Sequence, residues 1–112
     1  MSDEMYPTAT TELAKKRREL SGETGKAFQA FSQKVFAEGA LPVKVKQLIA
    51  VAVAHVTQCP YCIKGHTRAA LHHGASQEEL MEAIWVAAEM RAGGAFAHSA
   101  LALEEMNKST TS

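Results

Sequence analysis

The chain has 112 residues, of which 46% are hydrophobic and 21% charged, a balance that suits one globular domain and excludes an intrinsically disordered protein. Basic and acidic side chains number 12 each, so the zero net charge gives no electrostatic reason to expect a nucleic acid or an anionic membrane as partner. Near-zero charge also does little to keep copies of the chain apart, which is compatible with self-association.

The first residues and the hydropathy indicate a cellular compartment. Asp3, Glu4 and Pro7 lie where a secretory signal would show a basic and then an apolar stretch, so we expect no signal peptide. The longest apolar stretch, residues 48–54, is far shorter than the roughly 20 residues that span a bilayer. We therefore expect a cytoplasmic protein without a membrane partner. In that reducing compartment a CxxC pair is more typical of a catalytic or metal-binding site than of a structural disulfide.

Taken in chain order, the apolar residues follow a helical period throughout, and no stretch shows the alternation of a β-strand. We predict an all-α, single-domain helical bundle of about six helices. The predicted helices cover residues 10–20, 23–36, 42–57, 59–73, 76–91 and 95–106. The domain then extends over residues 10–106, between a flexible N-terminus (1–9) and a flexible C-terminus (107–112).

Local signals mark the predicted helix boundaries. Gly22 and the pair Gly93-Gly94 are each expected to separate two neighbouring helices. Ser76 and Glu79 have the spacing of a capping box, which predicts the start of the fifth helix. The third helix is apolar nearly all round over residues 48–56, and such a helix is buried in a core or between subunits. A small single chain rarely needs so apolar a helix, so we expect an oligomer.

The run Cys59-Pro60-Tyr61-Cys62-Ile63-Lys64-Gly65-His66 is the most informative segment. Pro60 suits the first position of a helix, and a helix N-terminus stabilises the thiolate on which thiol chemistry depends. The spacing lets the two sulfurs bridge and so cycle between dithiol and disulfide. Cys62 and His66 share one helix face, and an imidazole with a pKa near about 6.5 can exchange the thiol proton at neutral pH. The motif predicts a redox-active dithiol.

Two alternatives stand beside this interpretation. The cysteines can be small core residues that fall at this spacing by chance. A zinc site can use Cys59, Cys62, His66 and either His72 or His73. Ligands on a single helical turn crowd one side of a tetrahedron, however, and structural zinc sites usually place the second pair on a separate element. The rival function is therefore a metal-binding or structural oligomeric protein without peroxidase activity, whereas the leading interpretation needs no metal and no cofactor.

Other polar residues point towards the dithiol. If the third helix runs straight, Gln47, His55 and Cys59 lie on one stripe of residues spaced by four, with His55 one turn before Cys59. His55 is either a catalytic residue or a hydrogen-bonded core or interface histidine. Tyr61 can donate a hydrogen bond or pack. The residues that flank the glycine pair, Glu89, Arg91 and His98, are expected first in a structural or intersubunit salt bridge. Gln47, His55, Tyr61 and Glu89 are thus the candidates for a proton relay.

The segment 46–66 resembles the core of the carboxymuconolactone decarboxylase-like family, in particular its alkyl hydroperoxidase D-like branch. The resemblance rests on CxxCxxxH following an alanine-rich apolar helix, which is a fairly specific motif. The segments 74–76 and 79–83 also fit, and the resemblance covers roughly residues 28–105. It implies the all-α bundle of that family, with small members forming trimers or hexamers.

The resemblance also implies an activity and a division of labour. The reaction would be reduction of hydroperoxides, or of a partner disulfide, in an antioxidant role. Cys62 would attack the peroxide oxygen and become a sulfenic acid, Cys59 would resolve it as a disulfide, and His66 would handle the proton. A thioredoxin-like or lipoyl-carrying protein would supply the electrons. Lactone decarboxylation is a poor match, because the decarboxylase branch works without the CxxC pair.

Two positions depart from the family pattern. The relay of the family normally includes a glutamate twelve residues before the first cysteine, where this chain has Gln47. A glutamine can hydrogen-bond but cannot exchange a proton near neutral pH, which leaves His55 or Glu89 as substitutes. Tyr61 replaces the histidine expected between the cysteines. Both departures lower the peroxidase activity that we expect and leave the dithiol itself unaffected.

Overall fold

The structure is a computed structural model that describes residues 5–110, and over those residues it consists of α-helices without a β-strand. The helices are α1 (Thr11–Phe36), α2 (Val43–Thr57), α3 (Pro60–His72) and α4 (Gln77–Thr110). The all-α prediction is confirmed, whereas the count of six helices is wrong. Of the two predicted flexible termini, residues 1–4 and 111–112 lie outside the described part of the chain.

The chain divides between Ala40 and Leu41 into two compact units, and the first unit contains α1. This helix begins at Thr10, whose hydroxyl accepts a 3.1 Å hydrogen bond from the N–H of Leu13. At Gly22 the backbone leaves the helical region (φ 58°, ψ −138°), a conformation that glycine adopts without steric cost. The predicted break is therefore a kink inside one helix, and the first two predicted helices are joined.

The second missing boundary lies in α4, which runs through Gly93 and Gly94 without interruption. Neither glycine has a positive φ. A glycine costs a helix only about 1 kcal/mol relative to alanine, and the alanine-rich flanks here outweigh that cost. The side chain of Glu89 also lies over Gly93, since a Cβ at this position would be 3.2 Å from the carboxylate. The fifth and sixth predicted helices are therefore one, and it extends beyond the predicted end at residue 106.

In the second unit α2 packs against both α3 and α4. The buried apolar residues are mostly small, which lets the helix axes come close together. They are Val51, Ala54, Ala70, Ala75, Leu80 and Ala87. The starts of α2 and α4 are joined by a 3.0 Å ion pair between Lys44 and Glu79. The predicted capping box is confirmed, because Ser76 and Glu79 each accept a hydrogen bond from the backbone N–H of the other.

Helix α2 is buried on one side only. Val51 is fully buried, whereas Ile49, Val53 and Val56 are 47%, 52% and 41% exposed. Apolar side chains of this size on one helix face leave a surface that water solvates poorly. Among the described residues, none of the helices combines the length and the hydrophobicity that a membrane span requires.

Candidate dithiol site

A sharp reversal of the backbone positions the cysteines. Helix α2 ends at Thr57, and Gln58 follows as its C-cap in the left-handed conformation (φ 59°, ψ 47°). Cys59 is then already the N-cap of α3, and its N–H donates a 3.2 Å hydrogen bond back to the carbonyl of Ala54. Pro60 occupies the first turn of α3, where its missing N–H and fixed φ suit a helix start. A single residue thus separates the end of one helix from the N-cap of the next.

The two sulfurs lie together at the N-terminus of α3. Both thiols are free and partly buried, and their Sγ atoms are 2.6 Å apart. The backbone N–H of Cys62 donates a 3.3 Å hydrogen bond to the sulfur of Cys59, so Cys59 caps the helix with its side chain. The positive end of the helix dipole lies at the same place and favours a negative charge on this sulfur.

The surroundings shift the pKa values of the two thiols in opposite directions. The pKa of Cys59 is lowered by its hydrogen bond with the thiol of Cys62 and further by the backbone N–H groups of Cys62 and Tyr61. The pKa of Cys62 is raised by the same contact with Cys59, by burial and by the neighbouring negative charge. The pair therefore holds its first negative charge on Cys59 and its remaining proton on Cys62. The resemblance assigns the attack to Cys62, whereas the more acidic thiol is Cys59.

His66 lies one turn beyond Cys62 on α3 and is held from α2. Its Nδ1 is 2.7 Å from Oε1 of Gln47. Gln47 is only 7% exposed and is the one buried polar residue in the described part of the second unit. The structure thus brings together two of the residues that the sequence singled out, on two different helices.

The remaining relay candidates lie in different surroundings. His55 is partly buried, and its Nδ1 is 2.8 Å from the carbonyl oxygen of Val51 on its own helix, the arrangement of a hydrogen-bonded structural histidine. Tyr61 is 43% exposed on the first turn of α3. Glu89 is exposed on α4, with its carboxylate over Gly93.

The part of the chain that the structure describes contains no set of ligands for the zinc site of the alternative interpretation. No three side chains of His, Cys, Asp or Glu converge there as a metal site would require. His72 and His73 instead contact each other edge to face at the end of α3, with ring centroids 5.2 Å apart.

Arg91 makes a contact at the site that differs from the structural or intersubunit salt bridge expected from the sequence. Its Nη1 donates a 2.8 Å hydrogen bond to the carbonyl oxygen of Val56, in the last turn of α2. The two residues are 35 positions apart, so no local pattern indicates their contact. A cation at this place complements the negative end of the α2 dipole and satisfies a carbonyl that has no partner within the helix.

Known proteins resemble this chain over most of its length. A family model described as the carboxymuconolactone decarboxylase family matches residues 22–105. A protein of Paracoccus denitrificans, named uncharacterized protein 4 in cox locus, is 53% identical over 108 residues, which are 96% of this chain and 96% of that protein.

Two solved structures share the fold. A carboxymuconolactone decarboxylase family protein from Legionella pneumophila is 38% identical, with a TM-score of 0.66, and the match covers 88% of this chain and 87% of that one. A member of the same family from Thermotoga maritima has been suggested to take part in antioxidative response. It is 29% identical, with a TM-score of 0.55, and the match covers 77% of this chain and 95% of that one. These similarities confirm the resemblance predicted from the sequence.

Proposed function

The chain belongs to the carboxymuconolactone decarboxylase family, and on that premise we propose that Cys59 and Cys62 form a cycling dithiol that reduces hydroperoxides. The observation that carries the proposal is the contact of the two sulfurs, 2.6 Å apart at the N-terminus of α3. A helix N-terminus favours the thiolate, which is the nucleophile in thiol chemistry. The relative from Thermotoga maritima that has been suggested to take part in antioxidative response supports the same chemistry.

The reaction has three steps. One thiolate attacks a peroxide oxygen, the O–O bond breaks, and the departing alkoxide takes up a proton to leave as an alcohol, or as water from hydrogen peroxide. The attacking sulfur is now a sulfenic acid. The second thiol attacks this sulfur, a disulfide forms, and water leaves. An external dithiol of the thioredoxin-like or lipoyl-carrying class then reduces the disulfide and is itself oxidised.

His66 serves the proton transfers in these steps. His66 shares a face of α3 with Cys62, which supports a role for its imidazole in taking the proton from Cys62 and returning it to the leaving oxygen. In this assignment Cys62 attacks the peroxide after losing its proton, and Cys59 closes the disulfide.

A second candidate reaction is reduction of a partner disulfide, and the lowered pKa of Cys59 favours it. A thiolate that caps a helix can attack a disulfide sulfur directly, giving a mixed disulfide that Cys62 then displaces. The attacking residue therefore distinguishes the two reactions, with Cys62 first for peroxide and Cys59 first for a disulfide.

The exposed apolar residues of α2 support a homo-oligomer, which we propose to be a trimer or hexamer in the cytoplasm. Ile49, Val53 and Val56 leave one face of that helix unburied in a single chain. On α4, Trp85 and Met90 are also more than half exposed. Sedimentation equilibrium measures the subunit number, and a monomer at micromolar concentration would contradict this assembly.

The test of the proposed function is mass spectrometry of the reduced protein before and after one equivalent of hydroperoxide. We expect the wild type to lose two hydrogens as the intramolecular disulfide forms. Cys59→Ser should trap a sulfenic acid on Cys62 with a dimedone probe, and Cys62→Ser should form a mixed disulfide with a model disulfide substrate. Two thiols that persist after peroxide and after a disulfide substrate would refute both reactions, and stoichiometric zinc surviving dialysis would favour the metal-binding alternative.

A further inference from the structure

A buried amide faces the histidine of the site. The Oε1 of Gln47 lies 2.7 Å from Nδ1 of His66, and the Gln47 side chain is almost completely buried. Its neighbours on the same face of α2 are Val51 and Ala54, which are buried as well. An amide in such surroundings has few alternative positions, because leaving a buried polar group without a hydrogen bond costs about 1–3 kcal/mol.

The hydrogen bond between Gln47 and His66 determines which ring nitrogen of His66 carries the hydrogen. An amide oxygen only accepts hydrogen bonds, so Nδ1 of His66 must carry the hydrogen in the bond to Gln47. A neutral imidazole has one N–H, and the nitrogen that carries it is set by the hydrogen bond which that nitrogen makes. With the hydrogen on Nδ1, the basic lone pair belongs to Nε2.

An amide and a carboxylate at this position would also affect the charge of His66 differently. A carboxylate at this place would favour the imidazolium by direct attraction and could accept its proton. The neutral amide of Gln47 orients the ring and can take no proton near neutral pH. A proton that reaches His66 therefore cannot pass on to Gln47.

We propose that Gln47 is a positioning residue that fixes His66 as the Nδ1–H tautomer, with Nε2 as its basic nitrogen, so that a proton which His66 takes up in the dithiol cycle does not pass on to Gln47. The tautomer part of this inference stands on the structure of the pair alone. The part that concerns the dithiol cycle rests on the proposed function.

The test uses ¹⁵N NMR of the full-length reduced protein with labelled histidine, under alkaline conditions where the imidazoles are neutral. His66→Asn assigns the His66 signals among the 5 histidines. We expect the wild type to show the Nδ1–H pattern of long-range couplings for His66, and Gln47→Leu to lose it. Gln47→Glu should retain it, since a carboxylate accepts the same hydrogen bond. Gln33→Leu, the matched substitution on an exposed position of α1, should leave it unchanged.

An Nε2–H tautomer in the wild type would overturn the proposal, because the amide would then donate to Nδ1 through its nitrogen. Persistence of Nδ1–H in Gln47→Leu would overturn it as well, because some other group would then set the tautomer. Neither measurement requires turnover, so the result is independent of whether the protein reduces peroxides.

The rate of disulfide formation after peroxide tests the part that concerns the cycle. Gln47→Leu should slow it by about 10²-fold, the lower end of what acid–base groups contribute, and Gln47→Glu should keep at least the wild-type rate. An unchanged rate in Gln47→Leu, with its tautomer lost, would show that the cycle does not use His66 in this form and would refute this part alone.

Discussion

Arg91 donates a 2.8 Å hydrogen bond from Nη1 to the carbonyl oxygen of Val56 and so ties the middle of α4 to the last turn of α2, three residues before Cys59. The contact holds the backbone that leads into the dithiol. It gives the arginine beside the glycine pair of α4 a hydrogen bond to a backbone carbonyl, where the sequence predicted a salt bridge.

Replacing this arginine should loosen the approach to Cys59. Arg91→Met keeps an apolar stem and removes the donor, so we expect a loss of about 1 kcal/mol in the free energy of unfolding, since the bond lies at an exposed site. Urea unfolding measures the loss, and faster amide hydrogen exchange at Cys59 locates it. Arg68→Met, at an exposed position of α3, is the matched control and should change neither quantity.

The two thiols should differ in their dependence on pH. The Cys62 thiol and the backbone N–H groups of Cys62 and Tyr61 hold the pKa of Cys59 below its ordinary value, so Cys59 stays a thiolate to lower pH than an unperturbed cysteine. The pKa of Cys62 is raised, so this thiol ionises last. Alkylation with iodoacetamide, followed by peptide mass spectrometry across the pH range, should label Cys59 first as the pH rises. Labelling of Cys62 first would contradict this order.

The capping box at the start of α4 should contribute measurably to stability. Ser76→Ala removes the acceptor for the N–H of Glu79, and N-cap substitutions of this kind cost about 1 kcal/mol. Ser99→Ala, on an exposed turn of the same helix, is the control and should cost nothing, because alanine is the better helix former. Thermal and urea unfolding of both variants make the comparison, and an equal loss in the two would show that the box is not the cause.

Glu79 makes the stability depend on pH with a defined sign. The backbone N–H of Ser76 and the ammonium group of Lys44 lower its pKa in the folded state. The unfolded chain therefore binds the proton more readily, and the contribution of Glu79 is present above the ordinary glutamate pKa of about 4.3 and is lost as pH falls through its lowered value. The free energy of unfolding of the wild type should exceed that of Glu79→Gln at neutral pH, and the difference should shrink on acidification.

Two alanine substitutions should have opposite signs. A Cβ at Gly65 meets open space in α3, so Gly65→Ala should stabilise the protein by up to about 1 kcal/mol through helix propensity. A Cβ at Gly25 would collide with the Cβ of Ser21 across the kink of α1, so Gly25→Ala should destabilise the protein unless the kink shifts. Urea unfolding of both variants tests the pair. A gain in Gly25→Ala would mean that α1 straightens readily.

Local signals in the sequence predicted most of the helix boundaries correctly. The capping box of Ser76 and Glu79 and the CxxC start of α3 each act within one turn, so they can be read without knowledge of the fold. The interruption expected at Gly93-Gly94 was wrong, because a small propensity cost does not end a helix whose flanks are strong helix formers.

The contacts that complete the site were beyond prediction from local patterns. Gln47 and His66 are 19 residues apart, and their hydrogen bond depends on how α2 packs against α3. The sequence identified both residues and counted Gln47 among the relay candidates, at the position of a missing carboxylate. The burial of Gln47 and its contact with Nδ1 of His66 are not visible until the helices are packed.

The single left-handed residue between α2 and α3 restricts where the dithiol can lie relative to α2. Because Gln58 alone separates Thr57 from Cys59, inserting or deleting one residue here would shift the start of α3 and the two sulfurs relative to α2. The connection between α2 and α3 is therefore short and leaves the two helices little freedom to move apart. A partner protein that reacts with the sulfurs has to fit Cys59 and Cys62 in this fixed arrangement. Any adjustment on binding has to come from a movement of α3 as a whole.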